Sequence, residues 1–261
     1  MLDHRGPIIA RAPAGAVLLR AARHAQPLIR ALTRAGIASV ALPVTRIAAA
    51  PDPAAARALL AQAPPQLVIF TSPTAVGRAF ALAPDLRVDR FTRVLAPGPG
   101  TARALRRRGI SAQSPPTRHD SEGLLALLAD NPLQDLPVWL IGAPGGRGRI
   151  EEGLSARGAR VVPVHVYQRV PGRFDARHLA AVQALPPHSV LVASSVQAFE
   201  HLRGVASPQL LKRLRPMEVV VSSARVAEAA RAAGFARAVI VGSAHTPALI
   251  ERVKSLFLIS P

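Results

Sequence analysis

Short runs of apolar, mostly β-branched residues alternate with segments whose apolar residues recur at helical spacing. The runs Val68–Phe70, Val190–Ala193 and Val219–Val221 are typical of buried strands, and each leads into an amphipathic segment. The pattern predicts strand–helix units at 67–72 with 74–82, 92–96 with 100–108, 137–142 with 147–157, 189–194 with 196–203, and 218–222 with 224–233. It adds strands at 17–20 and 238–241, and helices at 26–35, 54–62, 121–128 and 246–257. Alternation of this kind predicts parallel sheets with helices on both faces.

Two extended, proline-punctuated segments, Val40–Val44 and Val161–Tyr167, bracket the middle of the chain. Four predicted strands lie between or near them, enough for one sheet, and the first strand with the last three would form a second sheet. We therefore expect an α/β fold of two doubly wound parallel-sheet domains joined by a two-stranded connection. Residues 44–165 would be an α/β domain inserted into a discontinuous α/β domain of residues 1–43 and 166–261, because chain termini within a domain often lie close together.

Pairs of hydroxyl residues stand where three of the predicted strands end. They are Thr71 and Ser72, Ser194 and Ser195, and Ser222 and Ser223. One member of each pair is suited to cap the helix that follows. In open parallel sheets, however, ligands bind beyond the carboxyl ends of the strands, where hydroxyls and helix N-termini favour anions. The pairs therefore support two interpretations, helix caps and a polyanion site, and both can hold.

The formal net charge of +18 narrows the choice of partner. Arginine supplies 31 of the 33 basic residues, an excess that a GC-rich genome alone would also produce. The functional interpretation is an anionic partner, because net charge concentrates ions of opposite sign. Residues 43–165 carry 15 basic and 9 acidic residues and the remainder 18 and 6, so a cleft between the domains should attract an anion from both sides. Seven Phe, one Trp and one Tyr are few stacking groups for a nucleic-acid binder, which favours a small polycarboxylated or phosphorylated molecule.

Two glycine-rich turns, at 98–102 and 142–149, each follow a predicted strand and open a helix. Neither contains GxGxxG with its ribose acid or GK[ST]. A flexible turn and a carboxylate-binding turn that uses Gly98 and Gly142 therefore stay open. No GxSxG elbow accompanies the serines, and the eight histidines form no HExxH motif or close pair. We expect neither serine-nucleophile chemistry nor a metal site, and the lack of cysteine excludes disulfides and thiolate ligands.

Tyr167 is the only tyrosine of the chain. It follows His165 by two residues on an extended segment, so both side chains should point to the same face. One interpretation is an amphipathic residue packed at a domain edge. The other is a phenolic donor in the cleft, because the second crossing of the chain should line it.

The ordered series of motifs resembles the uroporphyrinogen-III synthase family from about residue 15 to residue 257. Val68–Val76 is similar to the family phrase IFTSxxAV, Gly98–Ala102 to VGxxTA, and Gly158–Arg169 to GaxVxxxxxYxr. The series is completed by Ser121–Leu124, Ser194–Ser195, Ser222–Arg225 and His245–Leu249. The chain departs from the pattern at Ser222–Arg225, where Gly-x-x-Thr is usual, and at Ala96–Pro97, where an apolar pair is usual.

The resemblance implies two α/β domains with a two-stranded connection and an enzyme that needs no cofactor. Its reaction would be cyclisation of hydroxymethylbilane, with loss of water and inversion of ring D, to uroporphyrinogen III for haem and other tetrapyrroles. Tyr167 matches the family's tyrosine and would assist departure of the hydroxyl. Ser72, Thr101, Ser194 and Ser223 match positions that hold substrate carboxylates. The predicted substrate-binding set is completed by Thr71, Gly98, Gly142, Ser195, Ser222 and Thr246.

Two rival functions belong to other classes, a non-catalytic two-lobed anion-binding sensor and a nucleic-acid-binding protein. The N-terminus lacks the order of a signal peptide, and no apolar stretch approaches the roughly 18–20 residues of a membrane span. We expect a cytoplasmic monomer with a small polycarboxylate substrate and neither a nucleic-acid nor a membrane partner. Hydroxymethylbilane synthase is a candidate donor of that substrate.

Overall fold

Strands and helices alternate along the computed structural model, which describes residues 15–20, 22–145, 148–242 and 246–258. In chain order the strands are β1 (Gly15–Leu18), β2 (Ala38–Ala41), β3 (Thr45–Ala48), β4 (Leu67–Phe70), β5 (Arg93–Leu95), β6 (Pro137–Gly142), β7 (Arg160–His165), β8 (Gln168–Pro171), β9 (Val190–Ala193), β10 (Val219–Val221) and β11 (Ala238–Ile240). The helices are α1 (Ala22–Arg34), α2 (Pro53–Leu60), α3 (Pro73–Leu82), α4 (Pro99–Arg106), α5 (Ser121–Ala126), α6 (Arg149–Ser155), α7 (Ala176–Gln183), α8 (Val196–Val205), α9 (Pro208–Leu214), α10 (Ala224–Ala232) and α11 (Thr246–Leu258).

The chain divides into two compact units. The first comprises the chain up to Arg46 and from Val170 onward, and the second is Ile47–Arg169. Strands β3 and β8 pair as a two-stranded sheet, and both unit boundaries fall within these two strands. The predicted fold class is thus confirmed: two α/β units with parallel sheets, one inserted in the other, with a two-stranded connection.

The first unit is built on a five-stranded parallel sheet in the order β11-β10-β9-β1-β2. Successive side chains of a strand face opposite sides, and both sides are buried here. Val17 and Leu191 belong to a core with residues of α7 to α10, whereas Leu18 and Val192 belong to a second core with residues of α1 and α11. Because both faces are covered, the strands are continuously apolar rather than alternating.

The second unit repeats this plan with four parallel strands in the order β5-β4-β6-β7. Val68 and Phe70 pack in a core with residues of α2, α3 and α4. Leu67 and Ile69, on the opposite face, pack with residues of α5 and α6. In both units the carboxyl ends of neighbouring strands therefore meet at one edge of the sheet, where open parallel sheets bind their ligands.

The two crossings of the chain lie later in the sequence than predicted. The segment Val40–Val44 was expected to cross, but Ala38–Ala41 is β2 of the first sheet and the crossing strand is β3. Likewise most of Val161–Tyr167 belongs to β7 at the edge of the second sheet, and the crossing strand is β8. The prediction failed because a short, polar crossing strand such as Thr45–Ala48 carries no apolar run.

Helices α7 and α9 were not predicted, although each begins at a recognisable cap. The Asp175 side chain accepts hydrogen bonds from the backbone N–H groups of Arg177 and His178 and forms a capping box with His178. The Ser207 side chain accepts from Leu210 N at the start of α9, where Pro208 occupies the first turn. Both helices are short, with eight and seven residues, so their caps were the stronger signal.

The unit boundaries lie at 46/47 and 169/170, a few residues beyond the predicted domain limits of 43/44 and 165/166. The shift follows from the displaced crossings, because each boundary falls in a crossing strand. That the two units fold as separate domains stays a prediction.

Candidate functional site

The carboxyl end of β4 leads into the predicted hydroxyl pair of the second unit. Ser72 caps α3: its Oγ accepts a hydrogen bond from Ala75 N at 3.1 Å. The same Oγ lies 3.2 Å from the hydroxyl of Tyr167. One serine therefore serves as a helix cap and contacts the only phenol of the chain. The structure thus shows the capping role of Ser72, and the binding of an anion at this pair stays a prediction.

Tyr167 lies between β7 and β8 and is 1% exposed. Its ring packs in the apolar core that includes Phe70 and Val76. Arg169 Nη2 donates a hydrogen bond to Tyr167 Oη at 3.0 Å, and the guanidinium carbon lies 5.4 Å from the ring centroid. Ser72 and Arg169, the two partners of the phenol, are both half-buried. The hydroxyl of a buried tyrosine is thus held by two groups that reach the surface.

Thr71 and Gly142 lie side by side at the ends of the neighbouring strands β4 and β6. Thr71 N donates to Ile141 O at 3.0 Å, and Thr71 Oγ1 donates to the same oxygen at 3.2 Å. A Cβ at residue 142 would clash with Thr71 Oγ1. Glycine is therefore required for close approach of the two strand ends, and Thr71 directly precedes Ser72 in the chain.

The glycine-rich turn after β5 begins helix α4. Gly98 is the N-cap residue in extended conformation, and its carbonyl accepts a hydrogen bond from Thr101 N at 3.1 Å. Thr101 is 4% exposed. A Cβ on Gly98 would lie 3.2 Å from the Cβ of His119. Gly98 and Thr101 thus lie at the same edge of the sheet, beyond β5, which is the neighbour of β4.

In the first unit, the ends of three adjacent strands are linked by hydrogen bonds. Arg20 Nη2, just beyond β1, donates to Ser194 Oγ at 3.0 Å. Ser222 Oγ, just beyond β10, donates to Ser194 O at 3.3 Å. Burial lowers the pKa of the Arg20 guanidinium from its ordinary value, although a guanidinium keeps its charge at any physiological pH. This arrangement places a cation beside two neighbouring strand ends that carry hydroxyl groups.

The remaining predicted residues of this unit lie at helix starts. Ser195 caps α8, accepting from Ala198 N at 3.3 Å, and is exposed. Ser223 occupies the cap position of α10 without a capping hydrogen bond to its side chain from any described residue. Thr246 is the first residue of α11, but its side chain lies outside the described residues, as does His245.

The structure brings the predicted residues together within each unit by strand order. Thr71, Ser72, Gly142 and Tyr167 are in contact or adjacent in one unit, and Ser194 and Ser222 are in contact in the other. Sequence reasoning missed Arg20 and Arg169. The available signals were a charged residue directly after a buried strand, and an arginine two residues beyond the tyrosine on the same extended segment.

Chemically, these edges offer hydroxyl, guanidinium and backbone N–H groups, the donors that bind carboxylates. Within the described ranges, no cluster of three or more His, Asp or Glu residues is placed to hold a metal ion. In the same part of the chain, no helix combines the length and apolarity needed to cross a membrane.

Comparison with known proteins gives one family. The family profile described as uroporphyrinogen-III synthase HemD matches residues 26–251. Among solved structures, a mutant uroporphyrinogen III synthase from Thermus thermophilus is 20% identical, with a TM-score of 0.58 over 93% of this chain and 98% of the other. The uroporphyrinogen-III synthetase of Helicobacter pylori is 17% identical, with a TM-score of 0.58 over 93% of this chain and 99% of the other. At these identities the structures show the shared fold, and the family match extends over most of the chain.

Proposed function

The chain belongs to the uroporphyrinogen-III synthase family of cyclising lyases in porphyrin biosynthesis, and from that premise we propose how its residues act. The reaction is cyclisation of hydroxymethylbilane, a linear tetrapyrrole, to uroporphyrinogen III with loss of water and inversion of ring D. The observation that carries the assignment is the family match over residues 26–251. The donor-rich strand ends agree with it, because the substrate carries eight carboxylates.

The reaction balances without an external oxidant or reductant. The hydroxyl of hydroxymethylbilane leaves with a proton as water, and the pyrrole electrons form an azafulvene. Attack by the substituted carbon of ring D gives a spiro intermediate, which fragments and closes again through the unsubstituted carbon. The proton lost from that carbon replaces the one given to the leaving hydroxyl. The protein needs to hold the reacting ends together and exclude the uninverted closure, which is a task of positioning.

Tyr167 is the proposed proton donor to the leaving hydroxyl. A phenol can act as a general acid when its conjugate base is stabilised. Arg169 donates to the phenol oxygen at 3.0 Å, and Ser72 Oγ lies 3.2 Å from it, so both groups are placed to support a phenolate. This contact pattern supports the catalytic role over that of a simple packing residue.

The substrate carboxylates bind at the carboxyl ends of the strands in this proposal. Hydroxyl and N–H groups there can donate hydrogen bonds to a carboxylate, and a positive charge nearby strengthens these hydrogen bonds. The residues are Thr71, Ser72, Gly98, Thr101 and Gly142 in one unit, and Ser194, Ser195, Ser222, Ser223 and Thr246 in the other.

Product-isomer analysis tests the function. The purified protein is mixed with freshly made hydroxymethylbilane, the products are oxidised, and isomers I and III are separated. We expect isomer III to predominate with native protein and isomer I with heat-denatured protein. Isomer I alone in both samples would contradict the proposal, and binding without turnover would favour the sensor.

The setting is proposed on the family's place in metabolism: a cytoplasmic monomer, supplied with substrate by hydroxymethylbilane synthase. Light scattering of the purified protein tests whether it is a monomer, and a dimer would contradict that statement. The supply of substrate is tested by comparing the isomer-III yield of a reaction coupled to hydroxymethylbilane synthase with the yield from free hydroxymethylbilane at the same flux. Identical yields would contradict direct supply, and neither result would change the catalytic assignment.

A further inference from the structure

We propose that Arg169 is a positioning residue that orients the phenolic proton of Tyr167, an inference that rests on the proposed role of Tyr167 in the reaction. A guanidinium has N–H donors and no acceptor. In the 3.0 Å contact, Arg169 Nη2 therefore donates and Tyr167 Oη accepts. The proton of the Tyr167 hydroxyl therefore cannot point toward Arg169, and this contact excludes one orientation of the hydroxyl group.

Ser72 completes the arrangement. Its Oγ already accepts from Ala75 N at 3.1 Å, which occupies one of its two lone pairs. In the 3.2 Å contact between Ser72 Oγ and Tyr167 Oη either hydroxyl can be the donor, and in this proposal Ser72 donates. The phenol oxygen then accepts from both Ser72 and Arg169, and its proton is directed to a third partner, the leaving hydroxyl of the substrate.

Charge gives the same contact a second effect. Proton transfer leaves a phenolate, and the guanidinium carbon of Arg169 lies 5.4 Å from the ring centroid. Tyr167 is 1% exposed, and opposite charges attract more strongly in a site removed from water. Among the described residues, Arg169 is the charged side chain in hydrogen-bond contact with the phenol. It thus stabilises the product of the proton transfer more than the neutral starting state.

Arg169 acts through Tyr167 in this account, which gives it a kinetic signature. Arg169→Gln removes the charge, and we expect kcat to fall about tenfold with KM changed less than about twofold. Arg169→Lys restores a cation without the planar fork and should recover part of the loss. In a Tyr167→Phe background, Arg169→Gln should change kcat by less than about twofold, because the group through which it acts is gone.

Arg213 provides a matched control. Its guanidinium is also half-buried and donates to Leu185 O at 2.7 Å and Pro186 O at 3.1 Å. Arg213→Gln should lower the free energy of unfolding without changing kcat. A purely structural role of Arg169 would give the same result as this control.

A spectroscopic measurement tests the contact without turnover. Because Tyr167 is the only tyrosine, the near-ultraviolet difference spectrum between a protein and its Tyr167→Phe counterpart at neutral pH reports on this residue alone. We expect the difference spectrum to change in Arg169→Gln, which loses the hydrogen bond to the phenol oxygen, and to change less in Arg169→Lys. If Arg169→Gln does not fold, Arg169→Lys carries both the kinetic and the spectroscopic comparison.

Three outcomes would overturn the inference: kinetic effects of Arg169→Gln and Tyr167→Phe that multiply, a loss confined to KM, or an unchanged tyrosine difference spectrum. A multiplied effect or a higher KM would mean that Arg169 contacts substrate directly. Failure of the native protein to form isomer III would instead contradict the proposed function, and the difference spectrum would still decide whether Arg169 acts on the phenol.

Discussion

Ser72 Oγ accepts a hydrogen bond from Ala75 N at 3.1 Å and lies 3.2 Å from Tyr167 Oη, so one atom serves both the helix and the site. Ser207 provides the comparison, because its Oγ also accepts from a backbone N–H, that of Leu210, at the start of a helix. Ser72 and Ser207 therefore share the capping role, and only Ser72 contacts the phenol. The difference between them isolates the contribution of Ser72 to catalysis.

We predict that Ser72→Ala and Ser207→Ala each lower the free energy of unfolding by about 1 kcal/mol, the usual cost of a lost N-cap. Only Ser72→Ala should also lower kcat, because only it removes a partner of the Tyr167 hydroxyl. Denaturant unfolding and steady-state turnover measure the two effects. Equal kcat values for the two variants would mean that the contact with Tyr167 does not matter to the reaction.

The sequence pointed to Tyr167 and Ser72 but not to what joins them. Both residues are recognisable in the sequence alone, because Ser72 belongs to a hydroxyl pair after an apolar run and Tyr167 is the only tyrosine. Their contact depends on β4 and β7 lying on either side of β6 in the sheet, which no local pattern specifies. For the arginine a local signal did exist, because Arg169 follows Tyr167 by two residues on an extended segment and both side chains should point to the same face.

At the scale of elements, two glycines differ in what surrounds them. Gly77 is exposed within α3, and a Cβ there would meet nothing within 4 Å. Gly142 ends β6, and a Cβ there would clash with Thr71 Oγ1. No neighbouring atom requires glycine at residue 77, whereas glycine at residue 142 permits the close approach of two strand ends.

Gly77→Ala should therefore raise the free energy of unfolding by about 0.5–1 kcal/mol, because alanine loses less backbone entropy in a helix. Gly142→Ala should lower it and reduce kcat, since Thr71 must move and lies beside Ser72. Thermal unfolding of both variants under one set of conditions checks the opposite signs. Stabilisation by Gly142→Ala would contradict the close packing at these strand ends.

Arg157 holds the turn that follows α5 by hydrogen bonds. Its Nη2 donates to three carbonyl oxygens, those of Leu128, Ala129 and Asn131, at 2.7, 3.0 and 2.8 Å. We predict that Arg157→Lys lowers the free energy of unfolding by about 1–2 kcal/mol, since an ammonium cannot reproduce the geometry, and leaves kcat unchanged. Arg106→Lys, at an exposed position on α4, is the control, and equal unfolding midpoints of the two variants would remove the anchoring role.

The periodicity of the chain predicted most elements because both faces of each sheet are buried. A run such as Leu67–Phe70 is apolar at every position, and such runs stand out from their surroundings. Strand β3 has two polar residues among four and no fully buried one, so its pairing with β8 rather than its composition makes it a strand. That dependence on a distant partner explains why the crossings were misplaced.

At the scale of the whole molecule, the net charge of +18 is the dominant property. Electrostatic attraction of a polyanion acts over distances set by the Debye length, about 10 Å at 0.1 M salt. It accelerates encounter more than it affects chemistry that occurs after binding. The net charge should therefore affect kcat/KM, which includes the encounter with substrate, more than it affects kcat.

We predict that raising ionic strength from about 0.05 M to 0.5 M lowers kcat/KM severalfold while kcat changes little, because only the encounter is screened. Initial rates across a series of NaCl concentrations, repeated with a neutral osmolyte, measure this. A kcat that falls in parallel with kcat/KM would place the effect of charge in the chemical step instead.

The insertion of one unit in the other was predicted from two extended segments and the number of strands between them. The parallel sheets followed from the alternation of strands and helices. Chain order did not specify which strands are neighbours within each sheet. The family, in turn, was indicated by the order of several short motifs, each of which is weak by itself. The profile match over residues 26–251 confirms the family that this ordered series indicated.

The most direct test of the account is isomer-resolved turnover by Tyr167→Phe, compared with native protein and with Ser189→Ala. Ser189 is a buried hydroxyl residue whose Oγ donates to Pro186 O at 2.6 Å, just before β9 and so at the opposite end of a strand from the proposed site. We predict a loss of at least about tenfold in kcat for Tyr167→Phe with a cooperative unfolding transition retained, and full turnover to isomer III by Ser189→Ala. A Tyr167→Phe variant that forms isomer III at the native rate would contradict the proposal that the reaction depends on the phenol.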